Sequence, residues 1–155
     1  MYQRILLAFD GSPEGHAVLR QGADLAVLCG AEVCLLAVLT IPSGVAIAES
    51  ILPPEVEPEA RETAQQALRT GAAALRSRGV SIQQRLTTGE PVDQIAAVAR
   101  DFQADLVVVG HGHRGKLAQW WSGSVGKSLL GHLPCSLLVA IEPEQADPNR
   151  INQGY

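Results

Sequence analysis

The chain has 155 residues, 46% hydrophobic and 18% charged, a length and balance that fit one folded domain and exclude wholesale disorder. Its formal charge of −4 excludes a broad binder of nucleic-acid backbone. It leaves room for one nucleotide, because backbone N–H groups can hold phosphates without Lys or Arg. The longest apolar run, 33–39, is far below a membrane span, and the apolar stretch 5–9 is too short for a signal sequence. Cys29, Cys34 and Cys135 form no C-x-x-C pair and read as reduced core thiols of a cytoplasmic protein.

The first predicted element is a strand over 5–9. It ends at Asp10-Gly11-Ser12-Pro13, a sequence that makes a turn and caps a helix. Val18, Gly22, Leu25 and Cys29 recur at helical spacing and lead to a second strand over 33–39. Residues 41–58 hold four prolines and are expected to be a mobile excursion. Ala60, Ala64, Ala67, Leu68, Gly71, Ala74 and Leu75 form a long stripe of mostly small residues, which predicts a second helix. The run 81–86 is more polar and is placed at a sheet edge. Pro91 opens a third helix whose apolar face is Val92, Ile95, Ala96, Ala99 and Phe102. A fourth strand follows over 106–109. After a glycine-rich stretch, Val125, Leu129 and Leu133 mark a fourth helix that Pro134 ends. A last strand spans 137–141, and 142–155 read as a flexible tail behind a single domain over 1–141.

Strict alternation of strand and helix predicts an α/β domain with one doubly wound parallel sheet of five strands. Continuous apolar runs agree, since parallel strands are covered on both faces. Right-handed crossovers favour a Rossmann-like strand order 3-2-1-4-5. Ligands of such sheets lie outside the carboxyl ends of the strands, near the switch point. The loops after the first and fourth strands face each other there.

Those loops carry the candidate chemistry. Asp10 can accept from a ribose hydroxyl or an adenine amine. Opposite it, Gly110 to Gly115 and Gly123-Ser124 bring glycines to the start of the fourth helix, whose free N–H groups make an anion site. Gly110-x-Gly112-x-x-Gly115 matches the dinucleotide fingerprint by letter, but it neither opens the first βαβ unit nor runs into a helix. Gly126-Lys127-Ser128 resembles the end of a Walker A loop, yet Trp121 stands where that loop needs glycine. His111, His113 and His132 lack a partner at metal-ligand spacing, so no metal site is expected. No serine-hydrolase elbow is present. Trp120-Trp121 reads as an apolar cover over the helix end.

Taken together, the pieces Ile5 to Ser12, Gly89-Glu90-Pro91, Ala104 to Gly110, Gly123-Ser124-Val125 and Pro134 to Val139 resemble the universal stress protein family in order and over nearly the whole chain. Members that bind ATP carry G-x-x-G-x9-G-[S/T] in the loop. Gly110 and Gly123-Ser124 fit that pattern, while His113 stands at the second glycine, with Gly112 beside it. The resemblance implies a nucleotide-binding stress or signalling protein with ATP as ligand. AMP or another adenine nucleotide, and an accompanying Mg²⁺, stay open. It places Asp10 at the adenosine moiety, the Val38 backbone at adenine and Ala8 in the pocket wall. Gly110, Gly112, His113, Gly123, Ser124 and Val125 would surround ribose and phosphates. It also implies a homodimer through the last strand, while charge and run length leave no nucleic-acid or membrane partner expected. Two rival readings are a dimeric interaction protein that keeps only the fold, and a slow ATPase.

Overall fold

The apolar runs form a five-stranded parallel sheet in a computed structural model that describes residues 1–10, 15–40, 58–111 and 129–141. In chain order the elements are β1 (Arg4–Ala8), α1 (Gly15–Cys29), β2 (Glu32–Leu39), α2 (Pro58–Arg76), β3 (Ile82–Thr88), α3 (Pro91–Asp101), β4 (Leu106–His111) and β5 (Ser136–Ile141). Residues 129–132 are helical as well. The strand order is β3-β2-β1-β4-β5, with every pair parallel. The predicted order 3-2-1-4-5 and the edge position of the polar strand are thus the observed ones.

Several strand bounds shift by one or two residues from the sequence reading, and two differences bear on the site and the core. Strand β4 runs two residues further, because Gly110 pairs with Ala140 and His111 with Ile141. Gly110, expected to begin the loop, is therefore a sheet residue. In α2 the buried stripe is Leu68, Gly71, Ala72 and Leu75, whereas Ala74 is exposed. Ala72 follows Leu68 by four positions and precedes Leu75 by three, so it completes the inner face that Ala74 leaves. The expected mobility of 41–57 and of 142–155 lies outside the described residues, and Pro58 is the first residue of α2.

Each inner strand is apolar on both faces, and the two faces bury different helices. Ile5, Leu7, Val33, Leu35, Leu106 and Val108 point to one side, against Val18 of α1 and Leu68 and Leu75 of α2. Leu6, Cys34, Leu36, Val107 and Val109 point to the other, against Ile95 and Ala99 of α3, Phe102 just after it, and Leu129. With α1 and α2 on one face and α3 on the other, the winding reverses between β1 and β4. In sheets wound this way ligands sit near the carboxyl ends of the strands beside the reversal.

The opposite end of the same two strands is tied down by one side chain. The Asp105 carboxylate accepts from the N–H groups of Gln3 (2.7 Å) and Arg4 (3.1 Å). The Asp105 N–H donates in turn to the Arg4 carbonyl at 2.9 Å. Arg4 also donates to the Phe102 carbonyl, which fixes the end of α3 beneath β1. Helix α1 stops at Gly30, whose φ of +63° is costly for other residues. The next N–H, of Ala31, closes back onto the Ala26 carbonyl at 2.9 Å.

Cys34 lies fully buried on β2, and burial pushes its thiol up to about 11 from an ordinary 9.0. Below pH 9 both folded and unfolded chains keep that proton, so the thiol contributes nothing to pH dependence. Between about pH 9 and about 11 the unfolded chain loses the proton and the folded chain keeps it, so stability falls as pH rises through this window. Urea titrations at pH 7.5 and pH 10.5 check this: Cys34→Ala is expected to show a smaller alkaline loss than the parent chain.

Candidate functional site

A cavity of about 310 Å³ opens at the carboxyl ends of β1 and β2. Its floor is Ala8, Phe9 and Asp10 from the end of β1 and residues 36–40 from the end of β2. Its far wall is the first three turns of α2, namely Glu59, Ala60, Thr63, Ala64 and Ala67. Alanines at three of these positions keep the helix surface low, which is what leaves the space. Phe9 is buried, and its N–H donates to the Leu36 carbonyl at 2.8 Å, so β1 stays paired to β2 up to the rim of the cavity.

The backbone of β2 matters as much as its side chains. Parallel ladders alternate direction residue by residue. Val33 N–H donates to Ser81 and the Leu39 carbonyl accepts from Gly89, so the odd positions of β2 face β3. Glu32 N–H donates to Gln3 and the Leu36 carbonyl accepts from Phe9, so the even positions face β1. Val38 continues the even series. Its N–H and C=O are therefore directed past the end of β1, on the cavity side, where a planar base could use both.

The polar side chains of the described lining are Asp10, Thr40, Glu59 and Thr63. The Thr63 hydroxyl donates to the Glu59 carbonyl at 2.9 Å, one turn back along α2. No Lys, Arg or His lines the cavity among the described residues. This cavity suits a donor-bearing, uncharged group rather than a phosphate. Among the described residues no cluster of His, Cys, Asp and Glu could hold a metal ion, and no helix is long and apolar enough to cross a membrane.

Of the nine residues picked out from sequence, Ala8, Asp10 and Val38 come together in this cavity. Gly110 lies in β4, two residues beyond Val108, the last to pair with β1. Gly112, His113, Gly123, Ser124 and Val125 lie outside the described residues. Sequence reasoning missed the α2 wall. The stripe Ala60, Ala64 and Ala67 was legible, but alanine at helical spacing looks the same whether it packs on a core or borders an open space. A second groove of about 600 Å³ runs between α1 and α2 and shares Phe9 and Ala67 with the cavity.

Residues 1–140 match the sequence pattern of the Universal stress protein family. The chain belongs to that family. It is 27% identical to Universal stress protein Sll1388 of Synechocystis over 149 residues, covering 89% of this chain and 97% of that one. Its fold is similar to the crystal structure of a universal stress protein family member from Burkholderia pseudomallei, with a TM-score of 0.67, 28% identity, and 89% and 95% of the two chains covered. Neighbours in fold carry nucleotides, and two serve as examples. One is a universal stress protein in complex with cAMP, at TM-score 0.65 and 22% identity, with 89% and 95% of the chains covered. The other is the Archaeoglobus fulgidus universal stress protein in complex with dAMP, at TM-score 0.63 and 23% identity, with 89% and 97% covered.

Proposed function

We propose that this universal stress protein binds an adenine nucleotide, ATP in the first instance, and works in the cytoplasm as a stress-response or signalling protein. The observation that carries the reading is the cavity at the ends of β1 and β2, where Asp10, Ala8 and the Val38 backbone meet. Its volume of about 310 Å³ is in the range of a small ligand pocket and suits the nucleoside end. Apolar Ala8, Phe9, Ala64 and Ala67 would flank the base, Val38 would pair with its edge, and Asp10 would accept from the ribose. The phosphates would turn away from Asp10 and Glu59, toward the carboxyl end of β4 and the glycines that follow it. The cAMP and dAMP complexes of fold neighbours support adenine as the base. Calorimetry on nucleotide-stripped protein with ATP, AMP and cAMP tests this. Heat of binding with at least one is expected, and silence with all three sinks the proposal.

The same reading includes a homodimer through β5. Among the described residues strand β5 pairs only with β4, and Ile141 at its end is exposed. An edge of that kind is open to pairing with a second strand. The rival reading, an interaction protein that keeps the fold without the nucleotide, draws on His113 at the motif glycine. Mass spectrometry of small molecules released on denaturing freshly purified protein separates the two, since co-purified nucleotide counts against the rival.

A further inference from the structure

We infer that Glu59 is a base-selecting residue of this cavity, favouring a purine with an exocyclic amine over one with a keto oxygen at the same position. The inference rests on the adenine-nucleotide reading above and adds to it a side chain that the family pattern does not mark.

The argument is an inventory of donors and acceptors. Among the described residues, the charged groups lining the cavity are two carboxylates, Asp10 and Glu59. A carboxylate only accepts. Of the two lining hydroxyls, that of Thr63 already spends its proton on the Glu59 carbonyl at 2.9 Å. Among the described residues no Asn, Gln, Lys, Arg or His contributes a side-chain donor to this lining. The described side chains of the cavity thus favour ligand groups that donate, with the Thr40 hydroxyl and the Val38 N–H left to serve a ring acceptor.

A purine nucleoside has two kinds of donor. The ribose hydroxyls belong at Asp10, which sits just past β1. The other donor is the amine on the base, whose two hydrogens can serve the Val38 carbonyl and Glu59, the remaining carboxylate, on the wall formed by α2. Adenine places an N–H₂ donor at purine position 6, where hypoxanthine and guanine place an oxygen acceptor. Facing that oxygen, Glu59 would set acceptor against acceptor and leave both unsatisfied. A site built to hydrogen-bond a donor rejects the analogue that lacks it far more strongly than a hydrophobic pocket rejects a change of size. Glu59 is exposed, so the discrimination falls well short of that seen in closed sites. The Thr63 bond closes the first turn of α2 and fixes the backbone from which Glu59 projects.

The test is calorimetry with AMP and IMP on the nucleotide-stripped full chain and on Glu59→Gln. The parent is expected to prefer AMP by about tenfold or more, the size of one good hydrogen bond. In Glu59→Gln the amide can present either N–H or C=O, so AMP still binds and the preference narrows to about threefold or less. Binding of both nucleotides with an unchanged ratio in Glu59→Gln overturns this inference alone. A parent chain that binds AMP and IMP equally does the same. A parent that binds neither overturns the adenine-nucleotide reading, and this inference with it. Glu59 is exposed at a helix start, and matched thermal unfolding of the two proteins confirms that the comparison is between folded chains.

Discussion

Gly22→Val is expected to cost stability at or above the upper end of the overpacking range, about 3 kcal/mol, and to lower the urea midpoint accordingly. A Cβ at position 22 would stand 2.4 Å from Leu7 Cδ2 and 2.8 Å from Cδ1. Leu7 is fully buried on the central strand, between Leu35 of β2 and Val108 of β4 in the register, so it has little room to rotate away. The branched methyls of valine add to the collision. Removing glycine from the helix interior returns at most about 1 kcal/mol. Two comparisons isolate the cause. Gly131→Ala, whose new Cβ meets nothing within 4 Å, is expected to be neutral or slightly stabilising. Gly22→Val with Leu7→Ala is expected to cost less than the sum of the two single changes, because the second opens the space the first needs. A Gly22→Val midpoint within experimental error of the parent would remove the contact from the account.

The second large effect is expected at Asp10. If its carboxylate holds a ribose hydroxyl, Asp10→Ala forfeits a hydrogen bond to a charged group. Such bonds are worth about 1.5–3 kcal/mol, which raises the Kd about 10- to 100-fold. Asp10→Asn keeps an acceptor without the charge and is expected to fall between the two. Calorimetry with the nucleotide that binds the parent measures the series, and urea unfolding of the same proteins separates a lost contact from a lost fold. An Asp10→Ala chain that binds as the parent does would take Asp10 out of the site.

The fold was legible for a physical reason. Strands buried on both faces leave continuous apolar runs, and 5–9, 33–39 and 106–109 are unmixed by polar residues. Even the weak strand was informative, since Gln83, Gln84 and Arg85 suit an edge and β3 is one. Strand ends were less legible. They depend on how far the neighbour extends, and Ile141 draws His111 into the ladder although nothing in Gly110-His111 announces a strand. The site was half legible. Asp10 stands at a strand end, where chemistry is expected, and position alone flagged it. Glu59 stands at the start of a helix, where an acidic residue is common for reasons of the helix dipole. Only the packing of α2 across the end of β2 brings it to the cavity. That placement is a property of the tertiary fold, and no spacing along the chain encodes it.

The two edges of the sheet are unlike, and the difference bears on how copies of the chain can accumulate. Along β5, Leu137, Leu138 and Val139 offer half-buried apolar groups to both faces, with Ile141 exposed at the end. Along β3, a newcomer meets Gln83 and Arg85, which are already engaged with Glu32 and Asp101. Growth of a sheet by edge addition needs a receptive edge at each end of every unit. Among the described residues the sheet has one such edge and one guarded by Gln83 and Arg85. Were two copies to close on each other through β5, as proposed above, the pair would present the guarded β3 edge on both sides, and edge addition would stop at two copies rather than run on to a filament.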